Sequence, residues 1–424
     1  MTTAVTTLPR SRLAPQVRDL FGAPSRPVSR MGPGSVGVEL EFIPVRPGAC
    51  SPEPVRKTAI EKALAYDPTL VSDASITFEP GGQVELSPPP SDTVVDLFAN
   101  IEHLVGRLRR CVARSGIVMV STGTNMWHSN ETLGLQTNRT RYRTMQAHFD
   151  QVGPYGRKMM RQTAALHVCL DFGEGEVAGA RWLLANLAGP ALTAAFANSS
   201  VFEGAATGYR STRSAIWQEV DPSRTGFAGE QIGSDPIDAY CTFALAAEVM
   251  PLPREDGETL PVRMSFGDWW ALDGARPDGD DLAHHFSTLF PPVRPHGYME
   301  VRYIDALPEH WIPIPVLILT ALLYDQKACG EALAGLSHFS RVLREQWRAA
   351  CALGVAEAAL RSQALMLFDL AFDALPRFSA GYFPTDAASR IAEYRERYVE
   401  SARCPADDQL QHFSTSPDHL AAFL

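Results

Sequence analysis

Four segments of the chain alternate apolar residues with carboxylates or a potential metal ligand. They are Val36-Gly37-Val38-Glu39-Leu40-Glu41-Phe42, Gln83-Val84-Glu85-Leu86-Ser87, Leu166-His167-Val168-Cys169-Leu170 and Met299-Glu300-Val301-Arg302-Tyr303. Successive side chains of a β-strand point to opposite faces, so each segment sends its apolar residues one way and its polar residues the other. Glu39 and Glu41 then share a face, as do Gln83 and Glu85, and Glu300 and Arg302. If these strands belong to one sheet, a single surface gathers at least four carboxylates, an imidazole and a guanidinium. Carboxylates crowded in this way cannot all stay charged and unpartnered. Divalent cations and a phosphorylated substrate would neutralise them.

The intervening pattern is helical. Residues 52–66 predict a short helix, and Pro80-Gly81-Gly82 a turn into the second acidic strand, which Pro88-Pro89-Pro90 stops. Asp92 or Thr93 caps a long helix over 94–114, where Val94, Leu97, Ile101, Leu104 and Leu108 follow helical spacing. Residues 117–121 read as a buried strand, 141–150 as a helix, 177–197 as a helix broken at Gly189-Pro190, and 236–249 as another helix. Beyond residue 314 the pattern is almost wholly helical, with breaks near Gly330, Gly354, Pro376 and Pro384. Strands separated by long, uneven helical insertions do not give the regular alternation of a doubly wound sheet. An α+β fold is expected, its largely antiparallel sheet bearing functional residues on one face and helices on the other. The Thr-, Pro- and Arg-rich residues 1–34 read as a flexible N-terminal arm, and 35–424 as a single catalytic domain.

Composition narrows the classes. Lys and Arg total 38 against 48 Asp and Glu, a net charge of −10 that argues against a nucleic-acid partner. The seven cysteines are dispersed with no CxxC spacing, as in a reduced cytoplasmic protein and unlike a disulfide framework or zinc module. The longest apolar run, 311–323, is too short to span a bilayer and contains Pro313 and Pro315, so no membrane partner is expected. Small-molecule substrates remain the expected partners; the oligomeric state is left open.

Each candidate residue has a plainer reading. Glu39 and Glu41 could face solvent, and the Glu79-to-Glu85 stretch could be an ordinary hairpin. A lone strand histidine such as His167 is ordinarily structural, yet it becomes a candidate ligand where carboxylates converge. Glu300 and Arg302 offer a carboxylate for a metal and a fixed cation for a phosphate, or simply a local ion pair. Residues 209–226 hold three arginines near Trp217, of which Arg213 or Arg224 could clamp an amino-acid carboxylate. Arg141, Arg143, Arg157 and Lys158 are further candidates for phosphate, and the glycine-rich stretch 226–233 for a lid. There is no GxxxxGK[ST] loop and no GxSxG elbow, and the GxGxxG spacing at 32–37 runs into a strand. Any ATP must therefore be held through metal-bridged phosphates.

Six motifs in order resemble the glutamate–cysteine ligase superfamily in its plant and actinobacterial form, particularly the ligase that opens ergothioneine biosynthesis. They are Gly37-Val38-Glu39-Leu40-Glu41, Glu79-Pro80-Gly81-Gly82-Gln83-Val84-Glu85, Thr163-Ala164-Ala165-Leu166-His167-Val168, Ser211-Thr212-Arg213 through Trp217 and Asp221, Arg224-Thr225-Gly226, and Ser287 through Arg294 with Tyr298 through Tyr303. The resemblance implies a glutamine-synthetase-like fold with a curved antiparallel sheet forming a funnel-shaped site. It also implies ATP and Mg²⁺, and transfer of phosphate to the γ-carboxylate of glutamate before the amine of cysteine attacks. Carried over by motif, Glu39, Glu41, Glu79, Glu85, His167 and Glu300 would be metal ligands, His167 standing where a glutamine is often found. Arg302 and Glu85 would be catalytic, and Arg213, Trp217 and Arg224 would bind substrate. A related ligase using another amine, or a non-catalytic nucleotide-binding regulator, are the alternatives.

Overall fold

The computed structural model describes residues 7–22, 33–49, 51–226, 235–250, 263–272 and 277–415. Five strands come first: β1 (Val36–Arg46), β2 (Glu53–Pro54), β3 (Ser75–Phe78), β4 (Val84–Ser87) and β5 (Val118–Val120). Then follow β6 (Ala165–Leu170), β7 (Val201–Phe202), β8 (Ala205–Ala206), β9 (Val293–Pro295) and β10 (Met299–Asp305). The main sheet runs β3-β4-β1-β6-β10-β9, with β2 and β5 added along the far half of β1, while β7 and β8 form a separate ribbon. Every pairing in the main sheet is antiparallel.

The apolar alternation decides which face the helices cover. Val36, Val38, Leu40 and Phe42 of β1, Leu166, Val168 and Leu170 of β6, and Met299 and Val301 of β10 are all buried in one core. Under that face lies the Val94–Ala113 helix, which buries Val94, Leu97, Ile101, Leu104 and Leu108. Thr93 is its cap, accepting a hydrogen bond from Asp96 N at 3.0 Å. The Pro313–Tyr324 helix is buried on all sides from Ile314 to Tyr324, so the longest apolar run is a core helix. Among the described residues no single helix is long and apolar enough to cross a membrane.

Two expectations change. The first 34 residues are not simply an arm, because Thr7–Leu20 is a helix whose Leu13 and Val17 are fully buried. Phe21 then packs on Phe172 and Trp182, with ring centroids 4.8 and 5.0 Å away. Leu13, Val17 and Phe21 recur every four residues, enough for an apolar stripe in spite of the polar composition around them. The other change concerns Gly330, which does not break its helix: Gln326–Leu336 runs through it. The break falls at Asp325 instead, whose side chain caps that helix by accepting from Ala328 N at 2.7 Å. The stretch 227–234, most of the candidate lid, lies outside the described residues.

Candidate active site

Register assembles the polar face. Glu41 stands opposite Glu85 on β4, and Glu39 opposite His167 on β6. Cys169 faces Gly37 on one side and Glu300 on the other, and Glu300 in turn faces Arg294 on β9. Glu79 joins from the turn before β4. That turn is closed by hydrogen bonds from Glu79 N to Gln83 O and from Gly82 N to Glu79 O, both 2.9 Å. Gly82 adopts φ +94, a conformation that suits glycine, and a Cβ at Gly81 would lie 2.2 Å from Arg161 O. Gly81 thus lets the turn press against the Tyr155–Gln162 helix and Gly82 against the Gln136 side chain, and together they position Glu79.

Donor atoms of Glu39, His167 and Glu300 lie within 4.8 Å of one another, and so do those of Glu41, Glu79 and Glu85. All six sequence-expected ligands are therefore gathered into two adjoining triplets. Burial, with Glu300 nearby, pushes the Glu39 carboxyl up to about 7. Burial and Glu85 push Glu79 to about 7 as well, and Glu41 and Glu85 are raised for the same kind of reason. Glu300 goes the other way: burial opposes its charge, but Arg302, Arg294 and His167 outweigh it and hold the carboxyl well below its usual range. Arg294 Nε lies 2.5 Å from Glu300 Oε2 and Arg302 Nη1 2.8 Å from Oε1.

His167 is the clearest sign that a cation fits here. Burial first, then Arg302, pushes its imidazole well below the ordinary range, so it is neutral. Its Nδ1 is 2.7 Å from Glu39 Oε2. With Nδ1 donating to that carboxylate, the lone pair rests on Nε2, which is buried, has no hydrogen-bond partner and lies 3.8 Å from Glu41 Oε1. An unpartnered buried nitrogen beside carboxylates short of positive charge is a donor set for a divalent cation. Its oxygen-rich character suits a hard ion such as Mg²⁺.

Beyond Arg302 a cavity of about 230 Å³ opens, lined in part by Arg213, Trp217, Phe290, Arg302, Tyr303 and Trp347. Trp217, on the Thr212–Val220 helix, has the guanidinium of Arg302 at 5.7 Å and that of Arg213 at 5.9 Å from its ring. Arg213 donates to Arg302 O at 2.7 Å, while its Nε and the indole nitrogen of Trp217 are buried without partners. Neither N–H is spent on a contact within the protein.

The structure also supplies a residue that alternation hides. Between Val301 and Ile304 the β10–β6 register shifts by one residue. This bulge turns Asp305 onto the polar face, opposite Ala165, whereas unbroken alternation from Glu300 would send it to the core. There it accepts hydrogen bonds from Asn198 N (2.9 Å), Ser199 Oγ (2.7 Å) and Ser211 Oγ (3.0 Å), and stands 3.8 Å from Arg213 Nη1. Asp305 orients Arg213.

Arg224 does not line the cavity. It is fully buried, with Nε donating to Asp221 at 2.7 Å, Nη1 to Thr288 and Nη2 to Glu248 O, so its fork is spent on holding loops together. Arg157 pairs with Asp150, Arg143 bonds Thr140 of its own helix, and Lys158 lies over Tyr155 and Phe202. Of those four phosphate candidates only Arg141 leans toward the acidic triplets, its charge favouring the ionised form of Glu79.

Comparison with known proteins gives the family and the fold. The profile of glutamate–cysteine ligase family 2 matches residues 35–419. The glutamate–cysteine ligase EgtA of Mycolicibacterium smegmatis is 33% identical over 361 residues, covering 82% of this chain and 80% of the relative. Its counterpart in Mycobacterium tuberculosis is 32% identical over 388 residues, covering 88% and 85%. The structure of a Francisella tularensis glutamate–cysteine ligase in complex with AMP superposes with a TM-score of 0.55 at 12% identity, covering 94% of this chain and 88% of that one. That likeness carries the fold, α+β and glutamine-synthetase-like. The chain belongs to glutamate–cysteine ligase family 2.

Proposed function

We propose that the chain is an ATP-dependent ligase joining the γ-carboxylate of L-glutamate to the amine of L-cysteine, giving γ-glutamylcysteine for ergothioneine biosynthesis. One observation carries the reading: two carboxylate triplets, with an unpartnered imidazole nitrogen between them, adjoin an arginine-lined cavity of amino-acid size. A carboxylate oxygen is a poor leaving group until it is phosphorylated, so the γ-carboxylate must meet ATP before the amine arrives. Glu39, Glu41, Glu79, Glu85, His167 and Glu300 would hold Mg²⁺, which would supply positive charge to offset that of the phosphates and of the transferring group. Arg302, tethered by Glu300 beneath Trp217, lies between triplets and cavity and stabilises the phosphoryl group as it passes to glutamate. Arg213 and Trp217, which line the cavity, would bind the glutamate carboxylate. The acceptor amine then attacks the acyl carbon, inorganic phosphate leaves, and the amine sheds a proton as the amide forms. None of the six described cysteines forms a disulfide, which suits the reduced, ATP-rich cytoplasm.

Incubation of the protein with glutamate, ATP, Mg²⁺ and a panel of amines tests this. Cysteine-dependent ADP release with γ-glutamylcysteine as product is expected. ADP release with another amine and none with cysteine would overturn the choice of acceptor.

A further inference from the structure

The cavity beside Arg302 has two arginine pairs, and only the inner one has a task so far. Arg213 and Arg302 lie deep, tied to Asp305 and Glu300. Arg344 and Arg348 line the same cavity from the Leu343–Leu353 helix and are exposed at its mouth. Among the described residues neither outer guanidinium has an ion-pair or hydrogen-bond partner. Residues three and four apart share a helix face, so Arg344, Trp347 and Arg348 turn together toward the cavity.

That face is held firmly in place. Trp347 packs on Tyr303, ring centroids 5.7 Å apart, and sits so close to Gly189 that a Cβ there would lie 2.5 Å from the indole. Gln218 of the Thr212–Val220 helix reaches across to Cys351 Sγ at 2.9 Å, one helical turn beyond Arg348. Two free guanidinium forks are thus presented from a fixed backbone. The cavity carries four arginines against the single carboxylate of Glu219, so it attracts anions overall.

We propose that Arg344 and Arg348 hold the α-carboxylate of the acceptor amino acid, and so restrict the ligase to amines that carry a carboxylate. The inference rests on the ligase reading above and adds to it the group that selects the second substrate. The order of chemistry assigns the pairs. Glutamate must lie deep, with its γ-carboxylate at Arg302, and once it is phosphorylated the departing phosphate points toward the acidic triplets. The amine therefore approaches from the mouth, and its carboxylate meets the outer arginines. Guanidinium matches carboxylate through paired hydrogen bonds, which makes it selective for this group over a neutral one.

Cysteine and cysteamine differ only in that carboxylate, and their comparison is the test. The wild-type protein should use cysteine with a kcat/KM about ten- to a hundredfold above that of cysteamine, the span of one charged hydrogen-bond contact. In the R344A/R348A protein this ratio should collapse toward one through a rise in the KM for cysteine, while the KM values for glutamate and ATP hold. Arg344→Lys with Arg348→Lys should restore part of the preference, since the charge returns without the fork. Three results would overturn the proposal: a preference that survives the double substitution, an equal loss with both amines, or a rise in the glutamate KM instead. Failure of the ligase reading itself is seen separately, as no cysteine-dependent ADP release by the wild type. In that event the amino acid that the amine panel identifies, paired with its decarboxylated form, tests the two arginines in the same way.

Discussion

The sheet face and the cavity beside it are electrostatic opposites built by different means. On the sheet, strand register lays carboxylates side by side until burial and mutual repulsion hold several of them near neutrality. In the cavity, helices from distant parts of the chain bring arginines around aromatic walls. One region is short of positive charge and the other is short of negative charge. On the proposed reading, the substrates that join them would be divided in the same way, with phosphates at one end and amino-acid carboxylates at the other. Arg302 belongs to both, paired with Glu300 on the sheet and stacked near Trp217 in the cavity. On the proposed mechanism the site would separate its two half-reactions by charge, with Arg302 at the junction.

Removing the shared residue should have the largest effect. Arg302→Met is expected to cut kcat by on the order of 10³-fold or more, as when an arginine leaves a phosphoryl-transfer site. Steady-state ADP release measures it, and a loss below tenfold would take Arg302 away from the transferred group. Glu85→Gln acts on the sheet region alone and should lower kcat by about 10²- to 10³-fold with folding intact, like loss of one preorganised electrostatic contact. Full activity in that variant would remove Glu85 from the metal site. Asp305→Asn should act on the cavity alone: with Arg213 less firmly oriented, the glutamate KM rises roughly tenfold, about one charged hydrogen bond. Titration of Mg²⁺ dependence in the same protein should be unmoved; a shift there would show that the two regions are not separable in this way.

The smallest effect concerns stability of the metal-free protein. Glu79 holds its proton up to about pH 7 in the folded state, against 4.5 ordinarily. Between those values the folded state binds the extra proton, so this group's contribution falls as pH rises through 7. Buried histidines such as His167 and His285 are shifted downward and contribute in the opposite sense, so the wild type alone would mix the two. Comparing Glu79→Gln with the wild type in EDTA isolates the carboxyl. The variant's gain in melting temperature should be slight at pH 5 and larger at pH 8, and saturating Mg²⁺ should reverse its sign. A gain that does not change with pH would place Glu79 outside the strained cluster.

How far the site could be read in advance follows the same division. Alternation along β1, β4 and β6 was enough to put Glu39, Glu41, Glu85 and His167 on one face, because period two survives wherever a strand is regular. It failed within β10, where the extra residue between Val301 and Ile304 inverts everything after it, and so Asp305 was invisible. Arg344 and Arg348 look in the sequence like the solvated side of a helix; only packing against the Thr212–Val220 helix shows which cavity they border. Arg224 misled for the converse reason, since a motif does not tell whether a guanidinium is spent inside the protein. Of the helices, those with a cap and an unbroken apolar stripe were legible, whereas the break at Asp325 depended on one side chain outweighing a glycine five residues on.

The Thr7–Leu20 helix has a consequence for how the protein is made. Gly297 N, in the turn between β9 and β10, donates to Leu20 O at 2.8 Å, and Phe21 rests on Phe172 and Trp182. These early residues thus wait on the ribosome for partners some 150 to 280 positions downstream, a spacing that closes long loops and slows folding. Glu39 and His167 can meet as soon as β6 is out, but the strand bearing Glu300 and Arg302 is the last described strand to be synthesised. Until synthesis passes Asp305, the nascent chain holds its acidic strands without the arginines that offset them.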